Sequence, residues 1–150
     1  MITYLIDGNN LIGKIKSLSR IQKKSRQHSR ERLAFKLDNF FRNKKHKVFL
    51  HFDGFPGEVI NTDSIKIQYS ENKTADERIK KQIEQISNRK NIIVVTSDTN
   101  LADFSRVCSC TVISSEEFSK EIMKINVADE KQQRIDSMNN EEFKKIFGVE

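Results

Sequence analysis

Several features are scarce in this chain of 150 residues, and each scarcity argues against a class of protein. No apolar run approaches the ~18 residues that a membrane-spanning helix needs, so no membrane partner is expected. Met1 leads straight into an apolar run without a charged and then apolar leader, which makes a cytoplasmic protein the expectation. Neither a Gly-x-Gly-x-x-Gly sequence nor a Walker A sequence occurs, so the common nucleotide-binding motifs are absent.

Cysteine and histidine are equally sparse. Cys108 and Cys110 are the only cysteines, and a Cys-x-Cys pair with no second pair and no nearby histidine is a poor zinc site. The three histidines, His28, His46 and His51, lack the spacing of metal ligands. We therefore expect two reduced cysteines that serve in packing rather than in metal or redox chemistry.

Positive charge is concentrated in one part of the chain. Between Lys14 and Lys47 there are 13 Lys and Arg residues and only two acids, a net charge of +11 in a chain of +6, which leaves −5 for the rest. Such a distribution favours a polyanionic partner, although a solvated lysine-rich face is the alternative. The residues expected to bind nucleic acid are Lys14, Lys16, Arg20, Lys23, Lys24, Arg26 and Arg30.

Apolar runs alternate with helical stripes along the chain. Strands are predicted over Ile2–Ile6, Lys47–Phe52, Ile65–Tyr69, Asn91–Thr96 and Cys110–Ile113. Helices are predicted over about 29–43, 74–88, 100–107 and 114–125, with an irregular loop or a short helix over 14–28. The alternation predicts an α/β fold with a mainly parallel sheet in residues 1–125. A charged tail, 126–150, is expected to carry a final amphipathic helix with Phe143, Ile146 and Phe147.

Two helix starts are predicted from their capping residues. Ser29 is the expected cap of a helix whose buried stripe would be Leu33, Leu37, Phe40 and Phe41. Thr74 and Glu77 match a capping box at the start of the next helix.

Aspartates follow three of the predicted strands. Asp7, Asp53 and Asp98 should converge, because the carboxyl ends of parallel strands meet at one edge of a sheet. Asp76, in the first turn of a helix, joins them only if the loop before it crosses that edge. Asn10 is expected to orient Asp7 or a bound water.

Converging carboxylates predict a cation site. At a spacing of about 5 Å, each pair repels by roughly 3 kcal/mol at an effective dielectric near 20. Oxygen ligands select hard cations, so Mg²⁺ or Mn²⁺ is expected, as one ion or two, held by Asp7, Asp76 and Asp98. Such a site can activate water against a phosphodiester. Phe55 and Tyr69 lie near the same edge, where they either stack on unpaired bases or simply pack.

Four segments carry a resemblance to a known family. In order and spacing, Asp7–Gly13, Phe52–Asp53, Tyr69–Ile79 and Val95–Asp98 resemble the YacP-like NYN domains, relatives of PIN and flap-nuclease domains. The Thr-Ala-Asp-Glu sequence within the third segment is the most specific, and the motifs cover about residues 2–120.

The resemblance implies a Rossmann-like PIN fold and a metal-dependent ribonuclease that cuts single-stranded or accessible RNA. One member of that family is an endoribonuclease associated with translating ribosomes. By analogy Asp7, Asp53, Asp76 and Asp98 form the acidic centre, with Asn10 in support. Many PIN-like relatives carry another aspartate where this chain has Asn100, which implies a less charged site, and Asp103 is a candidate substitute.

The leading hypothesis is thus an endoribonuclease that depends on Mg²⁺ or Mn²⁺ and cleaves RNA, with ribosome-bound mRNA as one expected substrate. A non-catalytic RNA- or ribosome-binding module of the same fold is the alternative. A phosphatase that uses Asp7 as its nucleophile is a third class.

Overall fold

The computed structural model describes residues 1–124 of the chain. One sheet holds β1 (Thr3–Asp7), β2 (Lys47–Phe52), β3 (Lys66–Tyr69), β4 (Ile92–Val95) and β5 (Thr111–Ile113). The strands lie in the order β3-β2-β1-β4-β5, and every neighbouring pair is parallel. The predicted α/β fold is confirmed. The chain forms β2 and β3 on one side of β1 before it forms β4 and β5 on the other side. The strand order therefore reverses between β1 and β4, and ligand sites of such sheets lie at this position.

Six helices flank the sheet within residues 1–124: α1 (Gly8–Lys14), α2 (Lys16–Lys24), α3 (Arg26–Phe41), α4 (Ala75–Gln85), α5 (Thr99–Val107) and α6, residues 115–124. A single 3₁₀ turn, Arg89–Asn91, precedes β4. The basic segment 14–28, predicted as an irregular loop or a short helix, holds the last residue of α1, all of α2 and the start of α3. Ile15 and Leu18 are buried there and Ile21 packs against them, so three apolar residues three apart hold this segment on the core.

Helix α3 begins earlier than its predicted start. Ser25 caps it, because its hydroxyl accepts a hydrogen bond from the backbone N–H of His28 at 3.1 Å. The prediction of Ser29 as the cap was wrong: Ser29 is fully buried inside the helix and donates to the carbonyl of Arg26. The predicted stripe is confirmed, since all four of its residues are buried: Leu33, Leu37, Phe40 and Phe41.

Two apolar layers sandwich the sheet. On one face Ile6 packs in a cluster with residues of α1, α2, α3 and α6, including Phe41 and Phe118. On the other face the adjacent residue, Leu5, packs with residues of α4 and α5. Successive residues of a strand point to opposite faces, so β1 is covered on both sides and its carboxyl end is held rigidly.

The two cysteines do pack, as predicted: both are free thiols, and Cys110 is buried in the second cluster. Within residues 1–124, no helix combines the length and the apolar character required to cross a lipid bilayer. The predicted tail helix with Phe143, Ile146 and Phe147 lies outside the described residues.

Candidate functional site

A cleft of about 660 Å³ opens at the carboxyl end of the sheet. All four predicted aspartates line it, and so do Asn10 and Arg26. The four acids predicted to converge thus share one cleft, while their chemical roles stay predictions. Glu71 adds a fifth carboxylate and Lys73 a second cation, so the walls carry more acid than base.

Asp7 ends the central strand and is only 8% exposed. One of its oxygens, Oδ2, accepts a hydrogen bond from the hydroxyl of Thr96 at 3.1 Å. Burial raises the pKa of Asp7 to about 6 from an ordinary 3.8. The Thr96 hydroxyl and the backbone amide of Asn10 lower this pKa, whereas the carboxylates of Asp53 and Asp98 raise it. Asp7 therefore senses the charge of two of the other predicted acids.

Glycine follows Asp7 because α1 starts against the end of β2. A Cβ atom on Gly8 would lie 2.7 Å from the carbonyl oxygen of His51 and 2.8 Å from the ring of Phe52. Real Cβ atoms do not come so close to backbone, so a side chain here would push α1, and Asp7 with it, away from β2.

The loop between β3 and α4 brings Asp76 into the cleft. It runs back along the end of β2 through backbone hydrogen bonds from Ser70 to Phe52 and from Glu71 to Gly54. Asp53 then accepts a hydrogen bond on Oδ1 from the backbone N–H of Ala75 at 2.7 Å. The condition set by the sequence, that this loop crosses the strand ends, is met.

Helix α4 begins as predicted, since the Thr74 hydroxyl accepts from the backbone N–H of Glu77 at 3.2 Å. This places Asp76 in the first turn, where Oδ2 pairs with Lys80 at 3.2 Å. Oδ1 of Asp76 is buried and has no hydrogen-bond partner within the described residues. The ammonium of Lys80 also donates to Asn100, so one lysine bridges Asp76 and Asn100.

Asp98 also lines the cleft and caps α5. Its Oδ1 accepts a hydrogen bond from the backbone N–H of Leu101 at 2.9 Å. The Thr96 hydroxyl, which donates to Asp7, also accepts from the backbone N–H of Asp98 at 3.1 Å and so ties the two acids together. Asp103 does not replace an acid at Asn100, because it is exposed beside Arg106 and does not line the cleft.

Asn10 contacts Asp7 through its backbone amide, whereas its side chain binds other segments. Its Oδ1 accepts from the backbone N–H of Ser97 at 2.9 Å and from the hydroxyl of Ser115 at 2.7 Å, which ties α1 to the loop after β4 and to α6. Asn9, which was not predicted, fixes the start of the loop after β2, since its Oδ1 accepts a hydrogen bond from the backbone N–H of Asp53 at 3.0 Å. The sequence feature that could have indicated Asn9 is the pair of adjacent asparagines that follows Asp7 and Gly8.

The seven basic residues predicted to bind nucleic acid have different surroundings. Lys16, Arg20, Lys23 and Lys24 are exposed on α2, and Arg26 lines the cleft. Lys14 pairs with Glu116 at 3.1 Å, and the Ser97 hydroxyl, with this lysine as a smaller cause, lowers the pKa of the Glu116 carboxyl to about 2.

Arg30 does not fit a direct contact with nucleic acid. It is only 3% exposed and donates to the carbonyls of Asp53 and Phe55. Its guanidinium also lies over the rings of Phe52 and Tyr69, 5.3 and 5.1 Å from their centroids. We therefore correct this prediction: Arg30 shapes the loop after β2 from inside the protein.

The carboxylates are spread around the cleft rather than gathered on one point. Among residues 1–124, no three His, Cys, Asp or Glu side chains stand close enough together to hold a metal ion as they are. Each aspartate is held on its own part of the wall by a neighbour: Asp7 by Thr96, Asp53 by Ala75, Asp76 by Lys80 and Asp98 by Leu101. Any cation here would reach part of its ligands through water or through a substrate phosphate.

Comparison with known proteins agrees with this architecture. Two crystal structures of Rae1 (YacP) from Bacillus subtilis, one of them of a mutant, are 26% identical to this chain with a TM-score of 0.74. Each covers 89% of this chain, which in turn covers 82% and 80% of theirs. No curated protein matches the sequence.

The family described as the YacP-like NYN domain matches residues 4–147. This match runs past residue 125, where a boundary is predicted, and that boundary stays a prediction. Since the match spans nearly the whole chain and the fold agrees with that of Rae1, the chain belongs to the YacP-like NYN domain family, which supports an RNase-like function.

Proposed function

We propose that this protein is a divalent-metal-dependent endoribonuclease whose acidic cleft hydrolyses RNA phosphodiester bonds. One observation carries the proposal: acids from four separate segments line a single cleft where the strand order of the sheet reverses. Burial raises the pKa of Asp7, and the charges of Asp53 and Asp98 raise it further. Perturbed carboxylates that face a cleft are typical of sites that handle cations and protons.

The donor set suits Mg²⁺ or Mn²⁺, because the acids that line the cleft offer only hard oxygen ligands. Mg²⁺ keeps several of its waters and is usually bound by one or two carboxylates together with substrate phosphates, so spread carboxylates fit a hydrated ion. Asp7, Asp76 and Asp98 would hold it, and the unpartnered Oδ1 of Asp76 is the acceptor left open. When bound, the cation would offset negative charge on the phosphodiester and on the attacking water.

The chain's own residues would bind and orient the RNA. Arg26 and Lys73 face the cleft among the acids and would attract the phosphates on either side of the cleaved bond. Asp7 would take up a proton more readily than an ordinary carboxylate near neutral pH, because its pKa is about 6. Asp53 would keep Ala75, and thus the start of α4 with Asp76, in place.

Replacement of Asp7 by Asn tests the proposal. Purified wild-type protein should cleave labelled single-stranded RNA with Mn²⁺ or Mg²⁺ and should stop when EDTA is added. Asp7→Asn should lower the cleavage rate by about 100-fold or more, because a charge at the reacting centre is lost. Binding of the same RNA should persist, since the basic residues are intact. Gel analysis of the fragments measures the first quantity and fluorescence anisotropy the second.

Asp103→Asn is the matched control, because it removes an exposed aspartate that does not line the cleft. It should cleave at the wild-type rate. If the wild type leaves every RNA intact with either metal, ribosome-bound message included, or if Asp7→Asn cleaves as fast as the wild type, the nuclease proposal is wrong.

A non-catalytic RNA-binding module is the second candidate. Two observations favour it: no three-ligand cluster exists among residues 1–124, and Lys80 already neutralises Asp76. Under this alternative the wild type binds RNA with equal affinity in Mn²⁺ and in EDTA and releases no fragments.

A further inference from the structure

The segment that joins β2 to β3, residues 53–65, is anchored on α3 at its start. Arg30 donates hydrogen bonds to the carbonyls of Asp53 and Phe55, the latter at 3.0 Å. Gln27 donates to the carbonyl of Glu58 at 3.1 Å. Arg26 also donates to the carbonyl of Asp53. Three carbonyls among the first six residues of this loop are thus bonded to three side chains of one helix.

The far end of the loop is anchored on the same helix. Asp38, a buried residue of α3, accepts hydrogen bonds from the backbone N–H groups of Asp63 and Ser64 at 3.0 and 2.6 Å. The Thr62 hydroxyl donates to the carbonyl of Ile65 at 2.8 Å. A loop held at both ends by buried charged side chains has a defined shape rather than being a loose connection.

This ordered loop exposes two large apolar side chains, Phe55 at 62% and Val59 at 84%. Tyr69, the other aromatic residue predicted near this edge, is half-buried and packs against Phe52 with ring centroids 5.9 Å apart. The two aromatics therefore have different roles. Tyr69 belongs to the packing beneath the loop, whereas the ring of Phe55 is left to the solvent.

The start of the loop lies beside both acidic and basic residues. Gly54, the residue before Phe55, lines the acidic cleft. Arg26, which also lines the cleft, contacts the start of the loop, and α2 ends in Lys23 and Lys24 just before Arg26 in the chain. A partner that meets this region must offer a flat apolar group beside negative charge, and an unpaired nucleobase on its phosphate backbone has both.

We propose that Phe55 is a stacking platform for an unpaired base of the RNA strand whose phosphodiester enters the acidic cleft. Lys23, Lys24 and Arg26 hold the phosphates next to that base. The inference deepens the proposed function and rests on it for the nature of the strand. Stacking on an aromatic ring tolerates any base but requires that the base be unpaired, so this surface selects single-stranded over double-stranded RNA.

Binding in EDTA tests the inference without any need for cleavage. The probe is a fluorescent single-stranded oligoribonucleotide with one 2-aminopurine, whose emission falls when the base stacks. Phe55→Ala should weaken binding by about tenfold and abolish the emission change of at least one probe position. Phe55→Trp should restore both, whereas Phe55→Leu, which stays apolar but cannot stack, should restore neither.

Phe35→Ala is the matched control, because Phe35 is a phenylalanine of α3 that is 52% exposed and does not line the cleft. It should bind like the wild type. Unchanged affinity in Phe55→Ala, full affinity in Phe55→Leu, or equal binding of duplex RNA would overturn the inference.

The outcomes separate this inference from the nuclease proposal. If Phe55→Ala binds normally while Asp7→Asn abolishes cleavage, the platform is wrong and the nuclease stands. If Phe55→Ala loses binding while the wild type never cleaves, Phe55 is a stacking platform in an RNA-binding module that is not a nuclease.

Discussion

The ionised form of Asp7 is unfavourable in the folded protein, because its carboxylate is buried and faces two other carboxylates. Its folded-state pKa of about 6 lies above the ordinary 3.8. Between these two values the folded protein binds a proton that the unfolded chain releases. Stability therefore falls as pH rises from about 4 to about 6, and the loss persists above that range.

Asp7→Asn should remove this pH dependence, because the amide stays neutral at every pH. A shift of about two pH units corresponds to about 3 kcal/mol as an upper limit, so the variant should be more stable than the wild type by about 1–3 kcal/mol at pH 7.5. At pH 4 the two should be nearly equal. Urea unfolding in EDTA at both pH values measures the difference, with Asp103→Asn as the control. An equal gap at the two pH values would contradict the buried-charge explanation.

Helix α3 links the core to the loop that borders the cleft. Its apolar stripe packs under the sheet, while Arg26, Gln27, Arg30 and Asp38 on its polar side fix the loop. Because α3 packs in the core and also binds the loop, it holds the surface around Phe55 in a fixed position.

Asp38→Ala should destabilise the protein by about 3 kcal/mol, because it leaves the backbone N–H groups of Asp63 and Ser64 without their partner. Single-stranded RNA binding should weaken as well, since Phe55 loses part of its support. Urea unfolding and the 2-aminopurine probe measure the two effects. Asp63→Ala, which removes an exposed carboxylate from the same loop, should change stability by less than about 0.5 kcal/mol. A small effect of Asp38→Ala on stability would show that the loop does not depend on this anchor.

Across the whole molecule, charge is divided between an acidic cleft and a basic helix beside it. The excess of +11 in residues 14–47 is only partly available to a partner, because Arg30 is buried and Lys14 is paired with Glu116. The exposed cations of α2 remain, and their surface continues to Arg26 at the cleft.

The double variant Lys23→Gln with Lys24→Gln should lower the salt dependence of RNA binding. For single strands each phosphate contact contributes about 0.7 to the slope of log affinity against log salt, so the slope should fall by about 1.4. Anisotropy titrations at several salt concentrations measure it. Lys45→Gln with Lys47→Gln is the matched control, because Lys47 begins β2 at the opposite end of the sheet. Equal slopes in the two double variants would mean that α2 does not contact the RNA.

Local patterns in the chain were enough to predict the elements and the edge where the acids meet. The stripe from Leu33 to Phe41, the capping box at Thr74 and the apolar runs that end in Asp7, Asp53 and Asp98 each lie within a few residues of one another. Parallel pairing then carries the three strand ends to one rim, whatever the details of packing.

Contacts between distant residues decided the rest. Asn9 bonds to Asp53, 44 residues away, and Asn10 to Ser115, 105 residues away, so no local pattern shows which carboxamide holds which wall. The same holds for Arg30: among the basic residues nothing in its immediate neighbours marks it as buried, because the carbonyls that bind it lie 23 and 25 residues further along the chain. Burial and hydrogen-bond partners depend on which distant segments pack together, and these contacts form only when the chain folds.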